Sequence, residues 1–282
     1  MYNCRYESDN GHTFYFGYAY GTIFDLDPIS QVDVDISTAQ EYQQIGTIIE
    51  AETVGGVSRE INGVFLDYTN TELVSDMLSA FVAGKQGKLY FNDNYYCECS
   101  VQKTPQIYLK NRKRSFSLML YCAYPYWLYA KQSIYYSGGY TDCFEFPVCY
   151  DSHAFGVAES ETYITCINDG MVEVPYKAIF TCSVSCEGYG IKNTSTGDIL
   201  RFDDTLLSGE TLSVYKEKGK LKIQKTVDGE TVSAFDLLDN DSTFFSVPVG
   251  TSQIARIADS GLTGLKVVLY VRPVITGVIA DD

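Results

Sequence analysis

Three groupings of residues in this 282-residue chain have side chains able to do chemistry. Asp151-Ser152-His153 offers an acid, a nucleophile and a base. Triad members must face one another in space, and three consecutive residues on extended backbone do not. Asp203-Asp204 offers the two carboxylates a glycosidase uses, yet neighbours in a strand point to opposite sides, so the pair reads as a solvated turn. The thiol pairs are Cys97 with Cys99 and Cys182 with Cys186, each expected to share one strand face. Neither pair has the two-residue gap and second ligand pair of a zinc site, and the two histidines, His12 and His153, are remote in sequence. No Gly-x-Ser-x-Gly or His-Glu-x-x-His occurs. Ser137-Gly138-Gly139 runs into aromatic, strand-like sequence and does not open a helix as a phosphate loop would. The expectation is a protein that is not an enzyme, with no catalytic residue, no metal ligand and no cofactor.

Charge and composition narrow the classes further. The formal net charge is −15. Residues 1–132 carry 15 acidic and 10 basic side chains, and the remainder 21 and 11, so both halves are acidic. Tight binding of DNA needs a basic face that releases counterions, and only Lys110, Arg112, Lys113 and Arg114 cluster. That cluster is expected to be a solvated turn. The start, Met1-Tyr-Asn-Cys-Arg-Tyr-Glu7, has no apolar signal region, and no apolar run approaches the ~18 residues that cross a bilayer. The nine cysteines are accordingly expected to be reduced, buried and small, in a protein made in a reducing cytosol without membrane insertion.

The pattern that would position these groups is mainly β. Thr13–Phe16, Gly46–Thr53 and Arg59–Tyr68 mix β-branched and aromatic residues with polar ones, and Gly55-Gly56 suits a hairpin turn between the last two. Leu73, Val74, Met77, Leu78, Phe81 and Val82 then recur at helical spacing. Asn70 or Thr71 can cap that helix and Gly84 can stop it. Gly87–Cys99 reads as strand, Asn92–Asn94 turn and strand. Phe116, Leu118, Leu120 and Cys122 share a face of the next strand, which must end or sit on a sheet edge at Pro125. Pro125, Tyr126 and Trp127, the last being the only tryptophan, mark a structural junction, and the domain break is expected between Tyr129 and Tyr140. Beyond it come short strands punctuated by Asn168-Asp169-Gly170, Thr196-Gly197 and Asp228-Gly229, with a late strand from Leu265, as in an antiparallel sandwich. The expected domains are 1–133, a β-rich unit with one α-helix, and 134–282, an antiparallel β-sandwich.

The order of these features resembles the phage distal tail protein family. The N-terminal part of that pattern is matched by Gly46, Arg59, the helix at Leu73–Val82, the Gly-x-Leu-x-Phe strand with its acidic turn at Gly87–Asp93, and Pro125-Tyr126-Trp127. The C-terminal part is matched by Phe144–Pro147, by Asn168-Asp169-Gly170 followed by Pro175, and by Asn193–Gly197. Gly209–Leu212, Ser242–Phe245 and Gly250–Ile254 complete it. The family turn commonly reads Asn-Asn-Gly where this chain has Asn168-Asp169-Gly170, and its final loop Gly-x-Asn where this chain has Gly250-Thr251-Ser252.

The resemblance implies a virion structural protein of a siphophage or prophage tail tip (baseplate), assembled in the bacterial host cytoplasm. Its N-terminal domains would form a homo-hexamer ring under the tail tube protein. The other face of the ring would hold the tail-tip hub protein, and galectin-like or carbohydrate-module-like C-terminal domains would project toward receptor-binding proteins. DNA would pass through the ring without tight nucleic-acid binding. The reading from another class is a stand-alone glycan-binding β-sandwich, with Tyr135, Tyr136, Tyr140 or Tyr150 as an aromatic platform. Solution mass separates the two.

Overall fold

Alternating apolar residues and left-handed turn positions build almost the whole of this computed structural model. It describes residues 2–30, 32–40, 48–138, 140–142, 156–158, 162–217 and 219–278. Gly46, Phe144–Pro147, Tyr150 and Asp151-Ser152-His153, singled out in the sequence, lie outside the described residues. The chain divides into two compact units, Met1–Lys131 with Val274–Asp282, and Gln132–Pro273.

The first unit starts with strands β1 (Cys4–Ser8), β2 (Thr13–Phe16), β3 (Thr22–Asp27), β4 (Val34–Ala39), β5 (Ile48–Val54) and β6 (Val57–Phe65). Helix α1 (Thr71–Ala80) follows, then β7 (Gln86–Phe91), β8 (Tyr95–Lys110), β9 (Lys113–Cys122) and β10 (Trp127–Tyr129). Antiparallel pairing gives the order β2-β1-β7-β8-β9-β6-β3. The Asn70 side chain caps α1 by accepting from the Leu73 backbone N–H at 3.0 Å. Met77 and Ala80 of the helix are buried, and Tyr6, Phe14 and Phe16 cluster around Phe81 at its end. Leu78 and Val82, placed on the apolar stripe by their spacing, are exposed. The helix ends at Ala80 with Phe81 as its cap, so Val82 leaves the helical register. Phe116, Leu118, Leu120 and Cys122 all point into the core.

The expected Gly55-Gly56 hairpin does not form. β5 pairs with β4, whereas β6 pairs with β3 and β9. The two glycines therefore carry the chain from one sheet to another. A Cβ on Gly56 would lie 2.9 Å from the Cys122 carbonyl oxygen, a close approach to backbone that favours glycine.

The second unit begins with β11 (Ser133–Ser137), β12 (Tyr140–Asp142), β13 (Gly156–Ala158), β14 (Tyr163–Asn168), β15 (Tyr176–Cys182) and β16 (Cys186–Glu187). It continues with β17 (Gly190–Asn193), β18 (Ile199–Arg201), β19 (Thr205–Leu206), β20 (Thr211–Glu217), β21 (Lys220–Val227) and β22 (Glu230–Ser233). β23 (Gly250–Ile257) and β24 (Leu265–Val271) close it, and β25 (Val274–Ile275) returns to the first unit to pair with β10. Among the described residues the two larger sheets run β11-β24-β15-β20-β21-β22 and β14-β23-β17-β18, all antiparallel. Alternate residues of β15, β23 and β24 are buried. Phe180 on β15 meets Tyr189 and Phe202 at ring distances of 5.8 and 5.7 Å, joining the inner faces of a sandwich. The protein is mainly β with one α-helix among the described residues.

Candidate functional site

A buried polar arrangement in the first unit is built around Arg59 and Trp127. Both side chains are fully buried. Arg59 lies in the middle of the alternating strand β6, where its odd-numbered neighbours Val57 and Ile61 also face inward. Its guanidinium donates to the Pro28 carbonyl and, at 2.9 Å, to the Pro125 carbonyl. The guanidinium carbon lies 4.6 Å from the Trp127 ring centroid, a cation–π contact in a dry setting. The Trp127 indole N–H donates to the Ile29 carbonyl at 2.8 Å, and its ring meets Phe91 edge-on at 5.9 Å. Arg59 thus ties three separated segments together, 28, 59 and 125–127.

The junction residues have unequal settings. Pro125 is buried and presents its carbonyl to Arg59; Trp127 is buried; Tyr126 is half-exposed and meets Tyr124 edge-on at 5.1 Å. Pairing of Trp127 with Ile275 and of Leu128 with Val274 closes the arrangement.

Three thiols lie near it. Cys97, Cys99 and Cys122 are buried and free, with the Cys97 and Cys122 sulfurs 3.6 Å apart, too far for a disulfide. Burial pushes Cys97 well above its ordinary value, and hydrogen bonding to Cys122 raises Cys99. Cys122 is pulled the other way, because Cys97 and Cys99 hydrogen-bond to it and Arg59 is close. Among the described residues no three His, Cys, Asp or Glu side chains are arranged to hold a metal ion, and no helix is long and apolar enough to cross a membrane.

The other sequence-selected residues are scattered. His12 is exposed on the turn before β2. Asp203 is exposed, but Asp204 is mostly buried, accepting from Lys225 at 2.7 Å and from Tyr189 at 3.2 Å. The solvated-turn reading therefore holds for Asp203 and fails for Asp204, which with Glu210 clamps the Lys225 ammonium. Cys182 and Cys186 do not share a strand face: Cys182 ends β15 and Cys186 belongs to β16. Tyr136 is exposed, while Tyr135 turns the other way and donates its hydroxyl to the Ile167 carbonyl at 2.8 Å, so the two form no joint platform.

No protein-family model and no curated protein matches the sequence. The fold, in contrast, has known counterparts. The chain is similar in structure to the SPP1 Dit (gp 19.1) protein, described as a paradigm of hub adsorption apparatus in phages infecting Gram-positive bacteria. That similarity covers 96% of this chain and 99% of the other, with a TM-score of 0.65 at 10% identity. The chain has the fold of SPP1 Dit. It is also similar to a chain of the phage p2 baseplate in its activated conformation with Sr, over 96% of this chain and 98% of that one, with a TM-score of 0.50 at 9% identity. Likeness to Dit extends across both compact units, since nearly all of each chain is covered.

Proposed function

We propose that this protein is a structural ring component of a phage tail tip. Six copies form a closed ring through their first units. The ring joins the tail tube protein to the tail-tip hub protein, and the sandwich units face outward toward adhesion devices such as receptor-binding proteins. The observation that carries this reading is the shared fold with SPP1 Dit over 96% of the chain. The mainly β architecture and the ordered family motifs support it. In this reading Pro125, Tyr126 and Trp127 brace the junction at the base of the ring-forming domain. The protein carries no catalytic role, is built in the bacterial host cytoplasm and ends in the virion. The net charge of −15 suits a channel that DNA crosses without being held by counterion release. Negative-stain class averages of the purified full chain test the reading: six-fold rings support it, and a monomer that binds glycans would replace it with a sugar-binding module.

A further inference from the structure

Two surfaces of the first unit are unpartnered and carry opposite charge. The first is the two-stranded arm formed by β4 and β5. Every residue of β5 is exposed, and so is every residue of β4 except the half-buried Ala39. Cross-strand partners share a face, so Val34, Val54 and Ile36 lie together with Glu52. Ile36 and Ile49 are each 54% exposed. The charged residues of the two strands are Asp35, Glu50 and Glu52, all acidic, and none of the three forms an ion pair among the described residues. A two-stranded ribbon is marginal in water by itself and gains stability when something covers it.

The second surface is the far end of the β8–β9 hairpin. Asn111 and Arg112, with φ of 51° and 58°, make the turn. Lys110, Arg112 and Lys113 are exposed there and make no ion pair among the described residues; Arg114 is half-buried and donates to the Asn70 carbonyl. Tyr108 and Leu109 beside them are 55% and 62% exposed. No acidic residue occurs from Lys103 to Arg114. In a chain of net charge −15 this is a local reversal of sign placed next to bare apolar surface.

We propose that the acidic arm of one copy docks on the basic β8–β9 tip of the next copy. This rests on the ring reading above and names its interface. A closed ring requires two different, complementary patches on each copy. Here one patch presents carboxylates with valine and isoleucine, the other ammonium and guanidinium groups with tyrosine and leucine. Opposed charge would steer and register the contact, and the apolar residues would exclude water from it. The same contact explains why an acidic protein keeps a basic cluster: the tip is occupied by carboxylates, not by phosphate.

The test uses the full chain with two charge-reversed variants, followed by sedimentation velocity across a concentration series. The arm variant carries Asp35→Lys, Glu50→Lys and Glu52→Lys; the tip variant carries Lys110→Glu, Arg112→Glu and Lys113→Glu. All six side chains are exposed, so each variant should keep the native circular dichroism and melting behaviour. Each alone should need a concentration at least about tenfold higher to assemble, since like charges now meet. Mixed one to one, the two should assemble again, because every arm in an alternating ring then faces a tip of opposite sign. Raised salt should weaken native assembly as well. Native-like assembly by both variants would overturn this interface and leave the ring reading standing. Failure of the mixture to assemble would overturn it too, as would a tip variant that assembles normally but loses affinity for duplex DNA. A native chain that stays monomeric throughout would overturn both the interface and the ring reading.

Discussion

The Arg59 guanidinium carbon lies 4.6 Å from the centroid of the Trp127 ring, and neither side chain reaches solvent. Burying a guanidinium demands compensation by several weak partners at once. Two carbonyls, an aromatic face and the Cys122 sulfur supply it.

Arg59→Lys should destabilise the first unit by about 3 kcal/mol, because one ammonium cannot match the planar fork that reaches Pro28 and Pro125 together. Urea unfolding checks the size. An unchanged midpoint would remove Arg59 from this role.

Trp127→Ala should cost ~3–5 kcal/mol through the cavity it leaves. Trp127→Phe keeps most of the ring but leaves the Ile29 carbonyl without its donor, and should cost about 1–2 kcal/mol. The two variants should fall in that order in denaturant. Near-native stability of Trp127→Ala would show that the junction is not braced there.

Much of this arrangement was legible in the sequence, for identifiable reasons. The cap at Asn70, the Asn92-Asp93 turn with φ of 46° and 55°, and the Asn168 side chain accepting from Gly170 all rest on local chemistry. Local rules also predicted the inward face from Phe116 to Cys122. Non-local pairing was not legible. Ile48–Val54 and Val57–Phe65 flank two glycines and look like a hairpin, yet their partners lie elsewhere in sequence. Arg59 carried a family pattern, but nothing nearby announced that its partners are residues 28, 125 and 127.

The return of the chain at Val274 gives a prediction about truncation. Ile275 and Val278 belong to the core cluster of the first unit, together with Trp127. Deleting residues 274–282 should therefore destabilise that unit, by about 1.5–3 kcal/mol for each buried aliphatic side chain lost. A fragment 1–131 should unfold at lower denaturant than the same fragment with 274–282 supplied through a flexible linker. Equal midpoints would show that the last strand contributes little.

Buried thiols and phenols predict a loss of stability in alkali. Burial pushes Cys166 up to about 12 and Cys186 up to about 11, and raises Cys4, Tyr176 and Tyr189 as well. The folded state keeps protons that the unfolded chain releases, so this stability is complete below about pH 9 and declines above it. Each thiol contributes at most about 1.4 kcal/mol per pH unit until its folded value is passed. Cys122 is depressed, so its effect falls below that window. Urea midpoints should be lower at pH 10.5 than at pH 8 under reducing conditions. A flat profile would contradict the burial of these groups.

The central claim is a closed ring of six copies. Negative-stain class averages of the purified full chain, read together with its mass in solution, measure it directly. Six-fold rings and a hexamer that dissociates on dilution or in high salt are the expected result. Particles that stay monomeric at every concentration, with affinity for glycans, would contradict it.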